Sequence, residues 1–201
     1  LKRHRLLAAR RRARERAGFV HRRGSAAGKL AARDFLRLLE ELHGRTLGIV
    51  GYGDIGRAIA ERAKPFGMRI VGLRRRPLAG ERDDLADEIW PLTRLRELMA
   101  ESDDVAVALP LTEETHRLIG EADVNALKAT AVFANVGRGA VVDEAALVRA
   151  LQDRRIKGAV LDVFETEPLP NDSPLWGLDN VLPSPHTADH TRTWLVDASA
   201  L

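Results

Sequence analysis

The residues Gly51-Tyr52-Gly53-Asp54-Ile55-Gly56 have the spacing of a phosphate cradle. An apolar run, Leu47-Gly48-Ile49-Val50, precedes them, and Arg57-Ala58-Ile59-Ala60-Glu61-Arg62-Ala63 follows with helical character. In such a strand–turn–helix the first Gly permits the tight turn. The second leaves no Cβ between the backbone and a diphosphate, and the third lets the helix lie close to the strand. The amides of Asp54 and Ile55 then stand at a helix N-terminus, where unpaired N–H groups favour an anion. Gly clusters alone also mark plain turns. The buried strand before this one and the Ala/Ile helix after it make Gly51, Gly53, Asp54, Ile55 and Gly56 a candidate dinucleotide site.

The next strand sharpens the cofactor expectation. Sites for NAD carry an acid about 20 residues beyond the Gly turn, on the ribose hydroxyls. Here Arg69-Ile70-Val71-Gly72-Leu73 runs into Arg74-Arg75-Arg76-Pro77. An acid at that point would repel a 2′-phosphate, whereas a guanidinium pairs with it. Arg74, where the acid is expected, and Arg75 beside it favour NADP(H) over NAD(H). The alternative is a solvated cationic turn with weak preference.

The elements that must position these residues follow from the apolar pattern. Strands are predicted at Leu47–Val50, Arg69–Leu73, Asp104–Leu109, Ala131–Ala134, Ile156–Leu161 and Asn180–Leu182. Helices are predicted at Arg57–Phe66, Thr93–Ala100, Glu121–Leu127 and from the cap Asp143 to Gln152. Phe35, Leu38, Leu39 and Leu42 fall at i, i+3, i+4 and i+7, a short amphipathic helix that Gly44 ends. The βα alternation with Val- and Ala-rich runs predicts an α/β fold: a Rossmann-type doubly wound parallel sheet, forming a single nucleotide-binding domain. Ligands bind such sheets beyond the carboxyl ends of the strands. The loops of interest are therefore Gly51–Gly56, Arg74–Pro77, Pro110–Thr112, Asn135–Gly139 and Asp162–Glu167.

The 201 residues are 45% apolar and contain no Cys, which excludes disulfides, thiolate metal sites and a Cys nucleophile. No apolar run approaches a membrane span and no signal-peptide pattern is present. A cytoplasmic protein with no membrane partner is expected. The net charge of +3 hides an asymmetry: residues 1–33 hold 12 Lys or Arg and one acid, the remainder 20 basic and 28 acidic side chains. Lys2 to Arg23 reads either as a nucleic-acid arm or as a solvated helix with Leu6, Ala9, Ala13 and Ala17 on one face. No aromatic side chains interleave with the Arg run for base stacking, so the solvated helix is preferred and no nucleic-acid partner is expected. His21 to Lys29 is a linker. His4, His21, His43 and His116 are surface or packing residues, and His186 with His190 lacks a third ligand, so no metal site is predicted.

Four further blocks share a resemblance. Pro110-Leu111-Thr112-Glu113-Glu114-Thr115, Asn135-Val136-Gly137-Arg138-Gly139 with Val142-Asp143-Glu144, Leu161-Asp162-Val163-Phe164-Glu165-Thr166-Glu167-Pro168-Leu169, and Ser184-Pro185-His186 stand in this order. With the Gly turn they resemble the D-isomer-specific 2-hydroxyacid dehydrogenases over residues 44–190. The resemblance implies hydride transfer between a nicotinamide cofactor and a 2-keto or D-2-hydroxy acid. It implies Arg138, Glu167 and His186 as catalytic residues and adds Pro110, Val136 and Asp162 to the cofactor contacts, Asp162 at the nicotinamide end. The residue types suit these roles. Arg138 offers a planar fork for a carboxylate, His186 is a proton donor near neutral pH, and Glu167 can hydrogen-bond His186 and stabilise its charged form.

Departures set the remaining expectations. The chain starts at Leu1 rather than Met and reads as an excerpt. Residues 1–43 are expected to be a basic arm and linker helix, 44–185 the dinucleotide-binding domain, and 186–201 the start of a segment returning to a substrate lobe that the sequence lacks. Without that lobe the chain is expected to bind cofactor with little turnover. The alternative function is a dinucleotide-sensing regulatory module without turnover. A homodimer is expected for the full-length protein. Asp189 stands where many family members have Gly, which bears on the loop beside His186.

Overall fold

Thr46-Leu47-Gly48-Ile49-Val50 is buried at every position, as a central strand covered on both faces must be. In the structure, a computed structural model that describes residues 40–77 and 83–188, it forms β1 (Thr46–Val50). The order continues α1 (Asp54–Ala63), β2 (Arg69–Arg74), β3 (Glu88–Pro91), α2 (Leu95–Glu101), β4 (Asp104–Val107), α3 (Glu121–Val124), β5 (Val132–Asn135), α4 (Glu144–Gln152), β6 (Gly158–Leu161) and β7 (Val181–Pro183). The seven strands make one sheet in the order β3-β2-β1-β4-β5-β6-β7, and every pair is parallel. The chain grows outward on one side of β1 through β3, then returns to its other side at β4. The switch point, where a doubly wound sheet opens a crevice, therefore lies between β1 and β4.

Period-two alternation divides the core between the two faces. Leu47 and Ile49 pack with Ala60 and Ala63 of α1, Ile70 and Ala106. Val50 packs on the opposite side with Val71, Leu73, Val105, Val107, Phe133 and the α2 residues Leu98 and Met99. Helix α1 buries Gly56, Ala60 and Ala63, a stripe narrow enough for close approach. Asp143 caps α4 by accepting from the Ala146 amide at 3.0 Å.

Three expectations change. The sheet has seven strands rather than six, the addition being β3, an edge strand paired only with β2. The strand at 104–109 ends at Val107, and the helix at 121–127 ends at Val124. Leu42 is not helical: residues 40–42 lead into a turn in which Gly44 takes a φ of +80° and donates its amide to the Gly67 carbonyl at 2.9 Å. The tertiary hydrogen bond overrides the helical spacing. The basic arm, the linker, Phe35, Leu38, Leu39 and Asp189 lie outside the described residues. Among the described residues no helix is long and apolar enough to cross a membrane.

Candidate functional site

The strand order puts the ends of β1, β2 and β4 side by side, and a cleft of about 410 Å³ opens there. Its lining comes from Gly51, Tyr52 and Gly53 after β1, Arg74, Arg75 and Arg76 at the end of β2, and Ala108 to Pro110, Thr112 and Thr115 after β4. The glycines act as their spacing demands. Gly51 takes a φ of +101°, and a Cβ there would also meet the Ala108 carbonyl at 2.8 Å. A Cβ on Gly56 would stand 2.4 Å from the Gly51 oxygen, so α1 could not lie so close to β1. Gly53, by contrast, faces open space. It caps α1 with no side-chain hydrogen bond, so no side chain serves the first-turn amides of Asp54, Ile55 and Gly56 at that cap. An open backbone, a helix N-terminus and an arginine turn on one cleft fit a dinucleotide diphosphate and its ribose end.

The floor of the cleft is braced. Tyr52 is buried, and its hydroxyl donates to Asp83 Oδ1 at 2.8 Å. Asp83 also accepts from the amides of Leu85 and Ala86 and pairs with Arg57 of α1. The Gly turn and the segment leading to β3 are thus tied through one carboxylate.

Further along the same edge, the loops after β5 and β6 and the end of β7 bring the second group together. His186 Nδ1 lies 2.7 Å from Glu167 Oε2, while Glu167 Oε1 accepts from the Phe164 amide at 3.0 Å. Partial burial pushes the Glu167 carboxyl up, but the hydrogen bonds from His186 and Phe164, with the charges of His186 and Arg138, outweigh it and hold the group below the usual carboxylate range. An ionised carboxylate only accepts, so His186 donates from Nδ1 and keeps Nε2 for other work. Arg138 is exposed, between Gly137, whose carbonyl it bonds at 2.7 Å, and Gly139, packed so tightly on the Phe164 carbonyl that any Cβ would overlap it. Because Gly139 packs on Phe164, and the Phe164 amide bonds Glu167, the backbone that carries Arg138 adjoins the loop that holds the carboxylate–imidazole pair.

Asp162, expected at the nicotinamide end, also has a role within the protein. Its buried carboxylate accepts from Ser184 Oγ, the Thr187 amide at 3.0 Å and the Ala188 amide at 2.9 Å. Burial raises this group, and these donors with the His186 charge bring it below the usual range. The three bonds bracket His186, whose φ of +53° is left-handed, a conformation costing a non-Gly residue roughly 1–2 kcal/mol. Asp162 thereby fixes the turn from which the imidazole projects.

The sequence pattern described as "D-isomer specific 2-hydroxyacid dehydrogenase, NAD binding domain" matches residues 4–188. The chain belongs to this family. It is 48% identical over 163 residues to a glyoxylate reductase of Korarchaeum cryptofilum, covering 80% of this chain and 47% of that protein. It is 46% identical over 164 residues to a glyoxylate/hydroxypyruvate reductase B of Enterobacter sp., covering 80% and 50%. Among solved structures, a D-isomer specific 2-hydroxyacid dehydrogenase from Xanthobacter autotrophicus Py2 in complex with NADPH and MES aligns with a TM-score of 0.67 and 38% identity, over 87% of this chain and 51% of that one. The chain spans about half the length of the curated relatives it matches.

Within this dehydrogenase-family domain the predicted residues divide into three groups. Gly51, Gly53, Arg74, Arg75 and Pro110 line the cleft, and Asp54, Ile55 and Gly56 open the adjoining helix. Arg138, Glu167 and His186 form the second group, with Asp162 beneath it. Val136 does not line the cleft, and its amide is taken by the Val107 carbonyl at 3.0 Å. Sequence reasoning passed over Asp83, hidden in a charged stretch, and gave Ser184 no role beyond its place in the Ser184-Pro185-His186 block. It also passed over Arg117, which at a φ of +50° reaches Glu165 at 2.6 Å, while the Glu165 amide bonds Glu144 at 2.9 Å. These bonds join the loops after β4, β5 and β6.

Proposed function

We propose that this domain binds NADP(H) in preference to NAD(H) and serves the reduction of a small 2-keto acid of the glyoxylate class to its 2-hydroxy acid. The observation that carries the reading is the 2.7 Å His186–Glu167 pair with Arg138 beside it, at the same sheet edge as the dinucleotide cleft. A regulatory sensor has no use for that trio. When bound, the nicotinamide supplies the hydride.

The chain's own residues supply the rest. Arg138 binds the substrate carboxylate through its planar fork and draws electron density from the neighbouring carbonyl. His186 holds at Nε2 the proton that the carbonyl oxygen receives. Glu167 accepts from Nδ1 and fixes the plane of the ring. The Arg74–Arg76 turn supports the preference for a 2′-phosphate, and the names of the relatives support the keto-acid class.

Fluorescence titration with NADPH and NADH tests the first half, with tighter NADPH binding expected; equal or tighter NADH binding removes the preference. Oxidation of NADPH with glyoxylate and larger 2-keto acids, by this domain joined to a substrate lobe in the full-length protein, tests the second. Turnover that survives intact in His186→Gln would overturn the assignment.

A further inference from the structure

One ion pair joins the loops on opposite sides of the switch point. Arg75 follows β2, Glu114 lies in the turn after β4, and Arg75 Nη1 donates to Glu114 Oε2 at 3.1 Å. We propose that Glu114 sets how strongly the cleft distinguishes a 2′-phosphorylated dinucleotide from its unphosphorylated counterpart, by competing with that phosphate for Arg75. The proposal rests on reading the arginine turn as the phosphate end of the cleft.

The turn under Glu114 is built to hold it there. Thr115 is buried, and its hydroxyl donates to the Pro110 carbonyl at 2.7 Å and accepts from the Thr112 amide at 2.8 Å. The amide of His116 returns to the Thr112 carbonyl at 2.9 Å. With the backbone pinned on both sides, the carboxylate stays within reach of Arg75.

The contact uses one guanidinium nitrogen of three, and both side chains are about two-thirds exposed (67% and 71%). Such a pair is weak. A phosphate monoester carries nearly two charges at neutral pH and accepts two parallel guanidinium bonds, so it takes Arg75 from the carboxylate. Two penalties follow. The existing pair is broken or shared, and the Glu114 charge is left beside the dianion. Neither acts on a cofactor that ends in a ribose hydroxyl. Removing the Glu114 charge while keeping its shape therefore raises affinity for the phosphorylated cofactor alone.

The test is a fluorescence titration of wild type, Glu114→Gln, Arg75→Gln and the double variant with NADPH and NADH, at low and high salt. Glu114→Gln is expected to tighten NADPH about two- to fivefold, the range an exposed ion pair supports, with NADH unchanged. The gain should shrink in high salt and vanish in the Arg75→Gln background. Glu113→Gln, a neighbouring acid of the same turn, controls for a general loss of negative charge; an equal gain there overturns the proposal. So does unchanged or weaker NADPH binding in Glu114→Gln. If Arg75→Gln still lowers the NADPH:NADH preference in that case, the arginine turn stands as the phosphate site and only the role of Glu114 fails. A preference for NADH in wild type that neither substitution moves overturns both.

Discussion

The two ends of the sheet use charge in opposite ways. At the amino end the entries of β1, β2, β3 and β4 are tied down by paired carboxylates. Asp103 accepts from the Thr46 amide at 2.9 Å and from Lys128 at 2.8 Å. Asp87 accepts from the Ile70 amide at 2.8 Å and from Lys64 at 3.0 Å. Arg45 spans Asp104 and the Asp103 carbonyl, and Arg69 bridges Glu88 and Glu101. At the carboxyl end cations predominate: Arg74, Arg75 and Arg76 line the cleft, and Arg138 and His186 stand on the neighbouring loops. Among these, Arg75 pairs with Glu114 and His186 with Glu167. One end spends its charges on holding strands in register, and the other gathers cations at the cleft and the loops beside it.

This contrast can be broken at either end. In the full-length protein, with a substrate lobe in place, His186→Gln should have the largest effect, lowering keto-acid reduction by about a hundred- to ten-thousandfold while leaving NADPH affinity and the denaturation midpoint in place. Arg138→Gln should lower kcat/KM about ten- to a hundredfold, chiefly through substrate binding, in steady-state assays across keto-acid concentrations. At the other end, Asp103→Ala strands a buried amide and an ammonium. It should reduce unfolding free energy by about 1–3 kcal/mol in urea titrations, with cofactor affinity unchanged. An activity loss in Asp103→Ala before any loss of fold would show that the two ends are coupled.

The smallest effect is on acid sensitivity. Burial raises the carboxyls of Asp87 and Asp103. The Ile70 amide with Lys64, and Lys128 with the Thr46 amide, more than reverse this, so both groups sit below the usual range. A native pKa below the unfolded one means that the unfolded chain binds protons first as acid is added. The stabilisation is fully present above the unfolded value of about 3.9 and is lost as pH drops through the native values. The unfolding free energy measured across that range should fall toward acid, and Asp103→Asn should flatten the slope. A slope as steep as wild type would remove Asp103 from the account.

How much of this was legible in the sequence varied with the range of the interaction. The β1–Gly turn–α1 unit was readable because its strand, its turn and its helix stripe are contiguous. The trio was readable as residue types in ordered blocks. β3 was not, because Glu88-Ile89-Trp90-Pro91 buries only Trp90 and owes its extended form to pairing with β2. Leu42 kept helical spacing but was claimed by the turn at Gly44. Asp162 was recognised by type, while its partners, more than 20 residues downstream, follow from how β6 and β7 lie together. The left-handed turn at His186 carries no Gly to announce it.

The Phe164 amide has one more consequence. Because that N–H needs an acceptor, a Gln placed at 167 must point its carbonyl oxygen toward Phe164 and its NH₂ toward the ring. The imidazole would then be forced into the tautomer with hydrogen on Nε2 and a lone pair on Nδ1. In that variant a main-chain amide with no contact to the ring would govern which nitrogen of the histidine carries hydrogen.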